Sequence, residues 1–462
     1  MSWGLLLNSF GLALLVTIFA SCIGWIVAVF LATAAGRWRI VVLAGAVAAF
    51  SLPPFLVVNT WLGLLGNVGL LRPVLPLDVY SFGGAVWVLT LMLWPVPCLM
   101  SYGALKRLTT ELLDAEPGLG GWPLVSEVLL PISGTALMQS GVIVFALAFN
   151  NFSVPAILQV NVYPAQFWVE FSSSYNFKLA WKYGWVLVVL PLVVLLVLRG
   201  REIAWPWESP GVSAGLLADR LGQTLWRAMA CLALFVVAIS LLLPLGHLLI
   251  DARTWSDFPD AIRAGARSIW NSFWLASVAA ALVVGLGALT SGYGKFRMAW
   301  LLFFLPGVLL GVGLISVFNL QWLGWFYGGS GMMLVALGLR YFALGWEGMR
   351  LAKRSVDADL RNVVDLSGVP WWQRWRHLFL PQAGWAIAAG WYVIYLLCLW
   401  DTETVVLIVP PGGETLALRV FNLLHYGHHA QVNALCLILL LLAVLPLVVG
   451  GVLAVIVKRK EQ

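Results

Sequence analysis

The sequence predicts an all-α membrane protein of about eleven transmembrane helices, arranged as two parallel five-helix cores in one chain with the C-terminus cytoplasmic. Three observations carry that prediction. Of the 462 residues, 61% are hydrophobic and only 10% charged, against about a quarter charged in ordinary soluble domains. Apolar runs of about 20 residues, long enough to span a bilayer, recur along the whole chain. Short motifs at the edges of those runs recur in the same order in the two halves. This composition excludes a soluble enzyme, a disordered chain and a nucleic-acid binder. The net charge of +7 comes from basic residues beside the apolar runs, not from a patch.

The candidate spans lie near 10–32, 41–66, 82–103, 133–158 and 180–198, then near 228–250, 271–292, 298–318, 331–350, 383–409 and 433–457. The first is too long for a cleaved signal peptide, and neither a basic leader nor a small-residue cleavage site accompanies it. One alternating set of loops carries nineteen of the 27 Lys and Arg, the other set seven, and Arg340 stands alone inside a span. The richer side is cytoplasmic by the positive-inside rule, which puts the N-terminus outside. Tryptophans near span ends (Trp61, Trp181, Trp226, Trp270, Trp400) suit an interfacial belt. Cys22, Cys98, Cys231, Cys398 and Cys436 all fall in apolar runs without ligand spacing and read as small core residues.

The duplication is specific. Asn8-Ser9-Phe10 returns as Asn271-Ser272-Phe273, Leu52-Pro53 as Leu305-Pro306, Lys106-Arg107 as Lys353-Arg354 and Leu130-Pro131 as Leu380-Pro381, at offsets of 263, 253, 247 and 250 positions. The predicted organisation is a first transmembrane core over 1–198, a cytoplasmic linker over 199–227, and a second core over 228–462 with one extra leading helix. Parallel repeats of this kind relate by a pseudo-two-fold axis along the membrane normal, with the solute path between them.

A patterned cytoplasmic loop joins the third and fourth spans of each core. It runs from Glu111 through Gly120 to Leu130-Pro131 in the first, and from Asp359 through Gly368 to Leu380-Pro381 in the second. In each, an acidic residue precedes Leu, a Gly follows eight positions after that Leu, and Leu-Pro closes the loop. The physical reading is a short helix, a glycine turn, a second short helix, and a proline that restarts the chain into the membrane. Two rigid helix pairs on the cytoplasmic face are handles for a partner protein.

These loops resemble the EAA loop of binding-protein-dependent ABC importer permeases, which has Glu-Ala-Ala, a Gly six positions after the Glu, and a closing Leu-Pro. Asp114-Ala115-Glu116 with Gly120 keeps the six-position spacing and closes on Leu130-Pro131, and Asn362-Val363-Val364 with Gly368 keeps it again and closes on Leu380-Pro381. The second copy departs in letters. The first departs in length, with 11 positions from Gly120 to Pro131 where the second keeps the usual 13. The Asn-Ser opening of each core and the stretch Pro410–Leu416 are also similar to this group, in particular to its ferric iron, thiamine and phosphonate members, with polyamine permeases as relatives. The resemblance implies a fused type I permease in the bacterial inner membrane. Each loop would insert into one of two cytoplasmic ATPase subunits, and a periplasmic solute-binding protein would dock outside. Such chains commonly carry one more helix before the first core, and this sequence opens almost directly at Asn8.

Polar groups inside spans default to functional candidates. Arg340 has Glu347 about two helical turns away on the same face. Asn150-Asn151 and Asp401 with Glu403 stand at similar points of the fourth and tenth spans, so the repeat symmetry would turn both pairs toward the path, favouring a cationic or hydrogen-bonding solute. His425, His428 and His429 cluster without Cys or carboxylate support, so no metal site is expected, and His247 and His377 read as surface or interfacial. No catalytic constellation and no GxxxxGK[ST] loop is present in the sequence. The expected chain is thus not an enzyme and binds no cofactor of its own, with ATP used by its partner subunits. The rival readings are an ion-gradient-driven secondary transporter, which needs no patterned cytoplasmic loops, and an intramembrane enzyme.

Overall fold

The structure is a computed structural model, described for residues 3–67, 69–116, 118–197, 212–292, 298–320, 324–425 and 431–461. His428, His429 and linker residues 199–211 lie outside the described residues. Every regular element among the described residues is helical.

Each predicted apolar run falls on a helix or a broken pair of helices. Among the described residues seven helices are long and apolar enough to cross a membrane, and an eighth span results if the bent pair Gly36–Phe50 and Pro54–Leu65 counts as one. The expected count of eleven is not confirmed by this length and composition test, and two of the runs that fall outside it have local features. The run 298–318 splits into Ala299–Phe304 and Gly307–Phe318. The helix Ser330–Arg354, with Arg340, Glu347, Arg350, Lys353 and Arg354, is less apolar than the helices counted as spans.

Proline makes the breaks, and makes them alike in both halves. Pro53 (φ −58°, ψ 131°) and Pro306 (φ −55°, ψ 133°) each hold the chain extended just before a 12-residue helix, Pro54–Leu65 and Gly307–Phe318. The first pair bends by 94° there. The Leu-Pro pairs behave differently. Val125–Leu129 and Trp375–Phe379 are π-helical, and Leu130-Pro131 and Leu380-Pro381 follow directly. Ala238–Leu242 repeats the arrangement before Leu243-Pro244. A proline ring clashes with the carbonyl four residues back and offers no N–H, so a wider turn accommodates it without ending the helix. The expectation that proline restarts the chain at these points is therefore corrected. The helices run on through Gly121–Asn150 and Trp372–Trp400, starting earlier and ending earlier than the predicted 133–158 and 383–409.

The chain forms two compact units: Met1–Gln166 with Leu196–Pro259 and Leu423–Leu440, and Phe167–Leu195 with Asp260–Asn422 and Leu441–Gln462. The extra helix at 223–250, expected with the second core, packs in the first unit against Trp3–Thr33 and Gly36–Phe50. Gly45 makes room for it, since a Cβ there would meet Val237 Cγ1 at 2.7 Å.

The duplicated helix contacts are close. A Cβ on Gly24 would meet the Trp94 carbonyl oxygen at 2.6 Å and the Cys98 nitrogen at 2.8 Å. In the second unit a Cβ on Gly287 would run into the Gly345 backbone and lie 2.9 Å from the Trp346 nitrogen. Gly24 and Gly287 stand 263 positions apart, the offset of the Asn-Ser motif, and Cys98 and Gly345 stand 247 apart, the offset of the Lys-Arg motif. Without a hydrophobic drive between helices in lipid, such small-residue contacts let backbones approach and dispersion hold them.

Two expectations about single residues change. Cys22 and Cys231 are exposed on the helix surface, and only Cys98, Cys398 and Cys436 are buried. Trp61 is buried edge-to-face against Trp87 (centroids 5.4 Å apart) rather than exposed at the helix surface.

Candidate functional site

The two patterned loops fold as helix, turn, helix. The first comprises Thr110–Asp114 and Gly121–Leu124, the second Ala358–Leu366 and Trp371–Arg374, and each runs on into its π-turn. Asp357 starts the longer helix, its carboxylate accepting from the backbone N–H of Asp359 and Leu360. The turn glycine of the second loop is Gly368, at φ +68°. In the first loop the left-handed residue is Gly121 (φ +62°), whereas Gly120 is extended at φ −151°. The expected pivot is thus displaced by one residue, and Gly121 to Gly368 restores the 247-position offset of the Lys-Arg motif. Gly120 has another duty, because a Cβ on it would lie 2.8 Å from the Arg220 carbonyl oxygen.

Asp114, Ala115 and Glu116 are exposed, as are Asn362, Pro131 and Pro381. Exposed apolar side chains accompany them: Leu112 and Trp122 on the first loop, Leu360, Val363 and Leu366 on the second. A surface that is polar and apolar in alternation is suited to burial by a partner. The first loop is also tied to the linker helix Ala214–Leu221. Arg220 Nη1 donates to the Glu116 carbonyl at 3.2 Å, and Nη2 stands 4.0 Å from Asp114.

The Asn-Ser motifs acquire a role. Ser9 Oγ accepts from the Tyr163 backbone N–H at 2.7 Å, and Ser272 Oγ from that of Leu416 at 2.6 Å. Each of those two residues opens a short helix that follows the break in its core, Tyr163–Ser174 and Leu416–His425. Asn271 Nδ2 adds bonds to the carbonyls of Gly412 (2.9 Å) and Glu414 (3.1 Å), fixing the Pro-Pro-Gly-Gly stretch.

These equivalences decide what the chain resembles, and the comparisons agree with them. Over 422 residues, 86% of this chain and 79% of the relative, the sequence is 20% identical to an Fe(3+)-transport system permease protein of Haemophilus influenzae. Over 215 residues it is 27% identical to a putative 2-aminoethylphosphonate transport system permease protein of Salmonella typhi. That match uses 42% of this chain and 77% of the relative, as expected if the relative corresponds to one half. Over 79 residues, 17% of this chain and 30% of the relative, it is 32% identical to a spermidine/putrescine transport system permease protein of Escherichia coli. No family model and no solved structure matches.

The chain is a homologue of the ABC importer permeases. Its apolar helices make this permease a multi-pass membrane protein, and its relatives are translocation subunits.

The intramembrane candidates of the permease divide into two groups. Arg340, Asp401 and Glu403 come together in one buried cluster of the second unit. Arg340 Nη2 donates to Glu403 Oε2 at 2.9 Å, Nη1 donates to Thr404 Oγ1 at 2.6 Å, and Nε stands 3.7 Å from Asp401 Oδ2. Asp401 also accepts from Tyr341 OH (2.8 Å), Thr404 Oγ1 (2.6 Å) and the Thr404 backbone N–H (2.8 Å). A charge this deep in an apolar protein persists only when paired and hydrogen-bonded, and here both conditions hold. Glu347, two turns along the same helix, bonds Arg350 at 2.8 Å instead.

Asn150 and Asn151 belong to the first unit. Asn150 is buried. Asn151 Oδ1 accepts from the Val154 backbone N–H at 3.0 Å, and Asp401 does the same to Thr404. The two residues have matching backbone angles (φ −70°, ψ 110° and φ −69°, ψ 105°). Each halts its helix by capping the next turn through its own side chain. Both carboxylates of the second break are engaged by neighbours on their own unit.

Sequence reasoning missed Tyr341, Thr404 and Gly307. A Cβ on Gly307 would collide with the Arg340 guanidinium and crowd Thr404. Gly307 directly follows the flagged Leu305-Pro306, and that adjacency was the only available signal.

Proposed function

We propose that the chain carries both transmembrane halves of an ATP-driven importer in the bacterial inner membrane. Each loop would be gripped by one of two cytoplasmic ATPase subunits, and a periplasmic binding protein would deliver the solute. The observation that carries this reading is the duplicated helix–glycine–helix–π-turn loop with its exposed apolar residues. ATP binding would draw the two ATPase subunits together, and each loop would move with its subunit. A loop that continues without a break into a membrane helix passes that motion on as a lever, which is the mechanical requirement of alternating access. The linker bond from Arg220 would stiffen the shorter first loop.

The relatives' printed solutes are Fe(3+), 2-aminoethylphosphonate, and spermidine or putrescine. We place the solute of this permease in the same range of cations and amine-bearing molecules. Asn150 and Arg340 with its carboxylates are retained as candidate path elements, Asn151 and Asp401 being first of all helix caps.

The test is co-purification of the tagged chain with the ATPase encoded beside it. Wild type should retain about two ATPase copies. Gly121→Val with Gly368→Val should lose them or hydrolyse ATP without transport, because a β-branched residue in the left-handed region costs about 1–2 kcal/mol. A wild-type chain that holds no ATPase under any nucleotide condition overturns the reading.

A further inference from the structure

We infer that the linker helix Ala214–Leu221 is a working part of the first docking site, taking as given that both loops dock ATPase subunits. Arg220 is its positioning residue. The two sites are then unequal: the first depends on the linker, and the second is held by an arginine of its own loop.

The need for outside support is written in the sequence. Residues 108–129 carry Glu111, Asp114, Glu116 and Glu127 and neither Lys nor Arg. The second loop, over 355–379, includes Arg361, Arg374 and Arg376. Its turn is tied from within, since Arg374 Nε donates at 2.8 Å to the carbonyl of Val369, next to the left-handed Gly368. Its first helix, Ala358–Leu366, has nine residues and a side-chain cap, whereas Thr110–Asp114 has five and no side-chain cap. A helix of about one turn is marginal by itself, because its nucleus fixes several residues for each hydrogen bond gained.

The linker supplies what the first loop lacks. Arg220 Nη1 donates to the Glu116 carbonyl at 3.2 Å, the kind of bond that Arg374 makes in the second loop, and Nη2 stands 4.0 Å from Asp114. Asp114 is 69% exposed, so its ion pair adds little, and the bond to the carbonyl carries the hold. At the other end the Val212 backbone N–H donates to the Leu108 carbonyl at 3.1 Å, where the loop begins. Between these ties Leu217 and Leu221 are buried, and the linker helix packs on Gly121–Leu124 and on Trp3–Thr33. Gly120 lets the contact close, its missing Cβ being the atom that would crowd the Arg220 carbonyl oxygen.

The clasp also joins the loop to a second membrane helix. Directly after Leu221, Gly222 (φ +84°) turns the chain into Gln223–Ile250. A pull on the first loop thus reaches this helix as well as the loop's own Gly121–Asn150.

The full chain is purified into nanodiscs with the ATPase encoded beside it, and bound copies are counted by native mass spectrometry. Wild type should hold about two copies. Arg220→Ala should bind one of them at least roughly tenfold more weakly, Arg374→Ala should weaken the other alike, and the double variant should weaken both. Gly120→Ala, which displaces the linker helix and keeps Arg220, should behave as Arg220→Ala and decides the matter if the latter does not fold. Hydrogen exchange of the permease without ATPase gives the local readout. Both first-loop variants should speed exchange of the Ala115 and Leu119 amides, bonded to Glu111 and Glu116, at least roughly tenfold. The Arg361 and Ser367 amides of the second loop should not change, whereas a general loss of structure would speed all four. Two copies held at wild-type affinity by the folded first-loop variants, or unchanged exchange at Ala115 and Leu119, overturns the inference and leaves the importer reading standing. A wild type that holds no ATPase overturns the importer reading instead, and the exchange result still decides whether the linker braces the loop.

Discussion

Arg340→Met should destabilise the second unit severely, and the structure says why. The guanidinium is almost fully buried, at 5% side-chain exposure, and its carboxylate partners are at 1% (Asp401) and 12% (Glu403). It is the one cation between two anions. Methionine fills nearly the same volume, so the packing change is small and the electrostatic change dominates. Removing one partner of a buried ion pair costs about 3–5 kcal/mol, because the remaining charge has lost its compensation. Here two carboxylates would be left. Tyr341 and Thr404 still donate to Asp401, while Glu403 loses the bond from Nη2. The expected loss is therefore toward the upper end of that range, more than three powers of ten in the unfolding equilibrium.

The assay is reversible SDS-induced unfolding of the purified chain in mixed micelles, read as a difference between variant and wild type. The control is the triple variant Arg340→Met, Asp401→Asn, Glu403→Gln. It removes all three charges and keeps an acceptor at 401 for the Thr404 backbone N–H, so it should recover at least half of the lost stability. Arg340→Met within about 1 kcal/mol of wild type would refute the argument, since that is the size of an exposed pair. A triple variant no better than the single would refute it too, by showing that packing and not charge was lost.

Two further outcomes follow from the repeated geometry. Ser9→Ala and Ser272→Ala each leave a buried backbone N–H without its acceptor, at Tyr163 and Leu416, and should each cost about 1–3 kcal/mol in the same unfolding assay. Pro131→Ala with Pro381→Ala should let the π-turns at Val125–Leu129 and Trp375–Phe379 close to α-helix. The loops would then rotate relative to their membrane helices by roughly a quarter turn, one residue's worth of helix. ATP hydrolysis should persist while transport falls, and transport at the wild-type rate would show that the wide turns carry no coupling.

The sequence by itself determined the class, the duplication and the two patterned loops. Composition alone reads out a membrane protein, because lipid tolerates few charges. Four motif pairs sufficed to align the halves, because prolines, glycines and capping residues act on their own backbone wherever the chain goes. Thus Pro53 and Pro306 take the same angles, and Asn151 and Asp401 the same cap. Local chemistry also limited the reading. Nothing in the letters distinguishes a proline that stops a helix from one that widens it, and so the starts of Gly121–Asn150 and Trp372–Trp400 were expected too late in the chain. Gly120 and Gly121 are adjacent, and only the folded loop shows which one is left-handed and which abuts Arg220.

What joins residues distant along the chain was decided by tertiary structure alone. Arg340 has a carboxylate seven positions away on its own helix, yet it bonds to Glu403, 63 positions on. The partly exposed Glu347 is met by Arg350 on its own helix, while the buried guanidinium must be met by whatever carboxylates packing brings to it. The hydrogen-bonded chain Asn59–Asn433–Asp251 spans 374 positions, and its members are ordinary polar residues in sequence. Only the fold brings them side by side, because burying an amide requires a partner and the nearest partner in space is set by helix packing, not by spacing.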